Sequence, residues 1–195
     1  MSKALSNGWN SGYTMMELIM VIALVAILGT IAIPGFKYVT TSNRIATEVN
    51  GLLGDMQFAR SEAIKQGQTV TVCISNVGGT GCAGNSAGGT WQLGWIVFLD
   101  TNNNQQVDNG EAVIRVQPPF TGTDTFIGPA NFNALTFNRL GYAPTGQVAT
   151  INISLHDTTS NPPNPAWTRC LAVSPIGGVA TERQGVSTPP APVCT

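Results

Sequence analysis

Tyr13–Ile33 reads YTMMELIMVIALVAILGTIAI, and the organisation of the rest of the chain follows from it. Its only charge is Glu17. As a helix rising ~1.5 Å per residue it spans about 30 Å, the thickness of a bilayer's hydrocarbon core. From Leu18 to Ile33 every helical face is apolar. A half-buried surface helix would show a polar stripe instead. The expectation is therefore a helix that lies in lipid or inside a bundle of like helices. A carboxylate within such a helix costs roughly 2.5–3.5 kcal/mol at the bilayer centre and less near its edge, so Glu17 calls for a partner of opposite charge.

Upstream, MSKALSNGWNSG is short and polar, with one cation at Lys3. Downstream come Pro34, Gly35, Phe36 and Lys37, after which a helical pattern resumes. An ordinary secretory signal would instead carry a small-residue cleavage site after its apolar run. Lys3 on one side, and Lys37 and Arg44 on the other, leave the orientation open by the positive-inside rule. Past Pro34 the apolar residues become one-sided. Ile45, Val49, Leu52, Met56, Ala59 and Ala63 recur at alternating steps of four and three, a helical stripe read as core packing against a sheet. Arg44 and Glu48 stand one turn apart on the more polar face and are expected to pair. Gly67 is the expected stop, and Pro34 an expected bend between the two halves.

From residue 69 the texture changes to strands. Thr69–Ser75, Gly94–Leu99, Ala112–Val116, Ala134–Asn138, Val148–Leu155 and Thr168–Ser174 are rich in β-branched and aromatic residues, and Val179–Glu182 is placed beside the last of them. Turn-rich segments such as Gly78–Gly81 and Asn161–Pro165 separate them. Helix first and strands later predicts an α+β domain, one long helix against antiparallel sheet. Trp91, Trp95 and Trp167 are read as core or sheet-face residues.

The four cysteines, Cys73, Cys82, Cys170 and Cys194, all follow residue 70. An even number in one region reads as two disulfides and an oxidising compartment. Three pairings are possible; the local one, Cys73 with Cys82 and Cys170 with Cys194, is preferred because it would tie down the Pro-rich tail. No Cys-x-x-Cys pair occurs and His156 is the lone histidine, which argues against zinc.

At its N-terminal end the chain resembles the class III signal of type IV pilins and type II secretion pseudopilins, in Gly12-Tyr13-Thr14-Met15-Met16-Glu17 followed by the apolar stretch. The resemblance implies cleavage by a prepilin peptidase between Gly12 and Tyr13, and N-methylation of Tyr13, where phenylalanine is usual. It implies that Glu17, fifth in the mature chain, pairs with the N-terminal amine of a neighbouring subunit. Pro34 sits where the family places a helix-kinking proline. The implied organisation is a leader at 1–12, a transmembrane and filament-core helix at 13–35, and a periplasmic pilin domain at 36–195. The implied location is a single pass through the inner membrane, then the filament. Partners would be other pilins or pseudopilins, the peptidase and inner-membrane lipid. Further on, a strand ending in Cys73, a Gly-rich turn with Cys82, then Trp91, Gly94-Trp95 and an Asp/Asn-rich hairpin are similar to the FimT/GspH-type group, as are Arg169-Cys170-Leu171, Ser174 and Gly177. A minor pilin that primes assembly is expected. The alternatives are an H-type pseudopilin and a pilus-borne DNA-uptake or adhesion subunit.

Two possible sites stand against plainer readings. Asp100, Asn102, Asn104, Asp108 and Glu111 fall at places 1, 3, 5, 9 and 12 of a twelve-residue stretch, the oxygen pattern of a calcium loop. Gln105 replaces the glycine such a loop turns on, so a polar hairpin with no cofactor is the preferred reading. DNA-binding pilins of the group carry Gly-Arg-x-Arg where this chain has Gly177-Gly178-Val179-Ala180. Only Arg183 lies near, and with a net charge of −1 no phosphate track is expected. No nucleophile, phosphate loop or metal-ligand constellation occurs, so no enzyme is expected.

Overall fold

The computed structural model describes residues 12–76, 79–143, 151–156 and 167–183. The expected leader, apart from Gly12, lies outside them, as do Val148–Thr150, the Asn161–Pro165 turn and Cys194. The chain forms two compact units, Met1–Thr40 and Thr41–Thr195. One helix, α1 (Met15–Gln66), runs through both. It begins at a side-chain cap: Thr14 Oγ1 accepts the Glu17 N–H at 3.2 Å, and the Thr14 carbonyl accepts the Leu18 N–H at 3.1 Å. Thr14-x-x-Glu17 is the spacing of a capping box, which satisfies amides the first turn leaves without partners. The helix ends at the anticipated Gly67, whose φ of +66° only glycine adopts without strain.

In the first unit the helix has no core of its own. Its apolar side chains from Leu18 to Ile33 stand largely exposed in the single chain. In the second unit the same helix is one-sided as the stripe predicts. Ile45, Val49, Leu52, Met56, Ala59 and Ala63 are all buried. Burying the larger of them contributes roughly 1.5–3 kcal/mol each.

Against that stripe lie two antiparallel four-stranded sheets. The strands are β1 (Val70–Ile74), β2 (Trp95–Leu99), β3 (Val113–Gln117), β4 (Thr125–Ile127), β5 (Ala134–Phe137), β6 (Ile151–His156), β7 (Arg169–Val173) and β8 (Val179–Arg183). The first sheet has the order β3-β2-β1-β5 and the second β4-β6-β7-β8. Alternation divides the first sheet cleanly. Val70, Val72, Ile74, Trp95, Val97, Leu135 and Phe137 join the main core with the helix stripe. Cys73, Ile96 and Phe98 form a second small cluster, covered by Cys82, Val107 and Ala134. Phe126, Leu155, Leu171 and Val173 bring the second sheet into the main core.

Five of the six anticipated strands appear within a residue of their expected bounds; β6 overlaps Val148–Leu155, whose first three residues lie outside the described ones, and β8 pairs with β7 as placed. The three-residue β4 was not anticipated. It is held by pairing with β6, by a bridge from Thr90 to Ile127, and by the Gln92 side chain accepting the Phe126 N–H. Those are tertiary contacts with no local pattern. Gly94 stands outside β2 with φ +86°, and a Cβ there would sit 2.3 Å from the Gln117 carbonyl oxygen. Trp91 and Trp95 are buried and Trp167 packs partly against the core, as read.

Candidate functional site

The residues read as the assembly signal lie together at the start of α1. Gly12 and Tyr13 precede the helix and are exposed, Tyr13 to 84%. Glu17 sits in its first turn, where the unpaired amide ends favour a carboxylate. Above it runs the apolar surface, the one described helix long and apolar enough to cross a membrane. Position 34 falls inside the helix, which is continuous from Met15 to Gln66.

In the second unit, the polar side of α1 carries a charged cluster. Arg44 stays close enough to Glu48 to favour its charge, but its hydrogen-bonded partner lies far along the chain. Arg44 Nε and Nη2 donate to the two carboxylate oxygens of Asp124 at 2.6 and 2.8 Å, a bidentate pair. Asp124 is buried while the Arg44 side chain is half exposed. Glu48 is partly buried, and its Oε2 has no hydrogen-bond partner. Its pKa is raised from 4.5 to about 7, first by burial, then by the adjacent Asp124 carboxylate, with Arg44 pulling the other way. Further along, Asp55 accepts from Trp95 Nε1 at 2.8 Å and from Arg115 of edge strand β3. Arg115 also stacks 3.9 Å above the Phe58 ring.

The Asp100–Glu111 loop is a hydrogen-bonded hairpin. Asp100 is buried and accepts from Thr71 Oγ1, the Asn104 N–H and the Gln105 N–H at 2.7, 3.0 and 3.0 Å. Asp108 accepts from the amides of Asn102 and Asn104, and Glu111 from the Thr101 and Asp108 N–H groups. The bonds to Glu111 from both backbone amides hold its pKa down against burial, the largest single influence. Among the described residues no three His, Cys, Asp or Glu side chains stand close enough to hold a metal ion. Gln105, where a calcium loop wants glycine, takes the left-handed conformation itself, at φ +61°.

Cys73 and Cys82 are joined, closing the Gly-rich loop. Cys170 is also disulfide-bonded, and its expected partner Cys194 lies outside the described residues. Gly177 and Gly178 turn β7 into β8, locked by mutual hydrogen bonds with Ser174. Arg60 of α1 donates to the Gly177 carbonyl at 3.0 Å, pinning that turn to the helix. The backbone of Arg183 ends β8; its side chain lies outside the description, as does that of His156.

A family model described as "Type II transport protein GspH" matches residues 48–177, more than half of the chain. The chain belongs to the GspH family. The matched region holds the stripe of α1 from Val49 onward, the first sheet and the second as far as the β7–β8 turn. The fold also resembles the crystal structure of the type IV minor pilin FimU from Pseudomonas aeruginosa (strain PAO1). The TM-score is 0.52 at 18% identity, over 72% of this chain and 89% of that one. A second crystal form of FimU gives 0.48 at 19% identity, over 72% and 91%. No curated protein matches in sequence.

With the GspH-type pilin fold in place, the residues that sequence reasoning missed fall into one class. Asp124, Arg60 and Asn133 each act on a segment far along the chain. Asn133, for example, is buried and accepts the Gly89 N–H at 2.7 Å. Asp124 sits in a turn-rich stretch of Gly, Thr and Asp with no period to mark it. The one available signal was Asp124 itself, the lone charge between Arg115 and Arg139.

Proposed function

We propose that this GspH-family chain is a membrane-anchored minor pilin that takes part in, and primes, assembly of a type IV pilus. The observation that carries the reading is the bare apolar surface of α1 from Leu18 to Ile33, in a stretch (Tyr13–Ile33) whose only charge is Glu17, joined to a GspH-type domain. Such a surface is stable in lipid or against like helices, and transfer between the two keeps it dry throughout. Cleavage at Gly12–Tyr13 would create an amine, and Glu17 of one subunit would pair with that amine of another, fixing axial register. The domain beyond the anchor would face the periplasm.

The second reading, an H-type pseudopilin of a secretion filament, draws on the type II transport description of the matching family. Both share the same anchor chemistry. The test is twofold. Mass spectrometry of protein from cells should find a chain beginning at methylated Tyr13. Glu17→Ala should stay in the membrane yet be lost from sheared pili. Normal incorporation of that variant would remove the pairing from the mechanism. Incorporation into a secretion filament in place of pili would favour the second reading.

A further inference from the structure

On the outer face of the first sheet, the disulfide loop and the Asp100–Glu111 loop stand apart and leave a cleft of about 280 Å³. Its floor is the Cys73–Cys82 disulfide and Ala134. Its walls are carboxamides: Asn85, Asn104, Gln105, Gln106, Asn131 and Asn133. Among the described residues no charged side chain lines it.

These side chains form an anchored inner set and an open outer set. Asn133 is fixed by the Gly89 N–H and the Ala130 carbonyl, and Asn104 by Asp108 and the Gln106 N–H. Gln105 reaches inward to Thr136, on a backbone held at φ +61°. By contrast Asn85, Gln106 and Asn131 are exposed, and no hydrogen bond of their side chains occurs among the described residues. A carboxamide offers two donors and an acceptor on one planar group, so three free ones present alternating donors and acceptors. Hydroxyl groups, each donor and acceptor, match that pattern. Anions find no cation here, and Asp108, bonded to the Asn104 wall, adds unfavourable charge. Peptide side chains find little apolar surface beyond the disulfide and Ala134. The volume lies just below the usual range for small-molecule pockets, ~300–1,000 Å³, which restricts the ligand to one or two sugar rings.

We propose that this cleft binds a neutral saccharide through the carboxamides of Asn85, Gln106 and Asn131, held in place by the fixed inner set. The site is independent of the anchor and of the assembly reading. The test uses the full chain in lipid nanodiscs, since sugar-headed detergents would compete. Saturation-transfer NMR is recorded with millimolar cellobiose, maltose, lactose and N,N′-diacetylchitobiose. At least one should receive saturation, and its affinity should fall about tenfold in Gln106→Ala and in Asn131→Ala, the loss of a well-made hydrogen bond. Both residues are exposed, so the variants should fold; unchanged Trp fluorescence confirms it. No transfer to any of the four sugars overturns the proposal. So does an affinity that both variants keep at the wild-type value, or a response of the cleft to calcium chloride or trialanine but to no sugar.

Discussion

Replacing Glu48 by glutamine should stabilise the protein at alkaline pH and do progressively less as pH falls. The wild-type carboxyl has its folded pKa raised from 4.5 to about 7. Between those values the folded state binds more protons than the unfolded one, so the favourable protonated contact is fully present below about 4.5 and is lost as pH rises through about 7. At ~1.4 kcal/mol per decade the difference sets a ceiling of about 3.4 kcal/mol. Glu48 is only partly buried, and solvent screening reduces the effect to about 1 kcal/mol. The neighbouring Asp124 carboxylate disfavours the ionised form of Glu48. A glutamine amide can donate to the same carboxylate at every pH. Thermal unfolding of the full chain in nanodiscs, followed by fluorescence of the buried Trp91 and Trp95, should show a variant-minus-wild-type gap about 1 kcal/mol wider at pH 8 than at pH 5. For a domain of this size that is about 2–4 °C in melting temperature. The lowered pKa values of Glu62 and Glu111 matter below this window and do not interfere. A gap that is constant with pH, or that narrows towards pH 8, would refute the reasoning.

Gly94→Ala should cost more than 2 kcal/mol or prevent folding, because its Cβ would meet backbone at 2.3 Å with φ at +86°; the yield of folded protein and the melting temperature report it. Removing the Cys73–Cys82 link as a double serine variant closes no loop of nine residues' separation and should cost about 2–3 kcal/mol, read by urea unfolding. Asp100→Ala takes one buried carboxylate from three donors, with an expected loss of about 3 kcal/mol; hydrogen exchange should rise at the Asn104 and Gln105 amides specifically. Thr14→Ala should fray the first turn of α1 by about 1 kcal/mol, seen as faster exchange at the Glu17 amide.

The features legible in the sequence were those written in local period or local chemistry. The all-apolar run, the four-three stripe from Ile45 to Ala63, the stop at Gly67 and the β-branched strands each follow from backbone geometry acting on neighbouring residues. The Asx-rich loop was also legible, since Asp and Asn side chains bond amides two to five residues on. The resemblance to the family rested on Gly12, Glu17 and the apolar run in register, with Cys73, Cys82, Trp91 and Gly94-Trp95 further on.

Tertiary structure decided the rest. That Arg44 reaches Asp124, eighty residues away, rather than Glu48 one turn away depends on where a stretch without periodicity is brought, and no local term encodes that. The division into two sheets, the short β4, and the carboxamide cleft between two loops arise the same way. Strand alternation fixes which side chains share a face, but which sheet a strand joins is settled by the competition to cover one helix stripe. Sequence by itself set the helix and its greasy half; only packing chose the partners of its polar half.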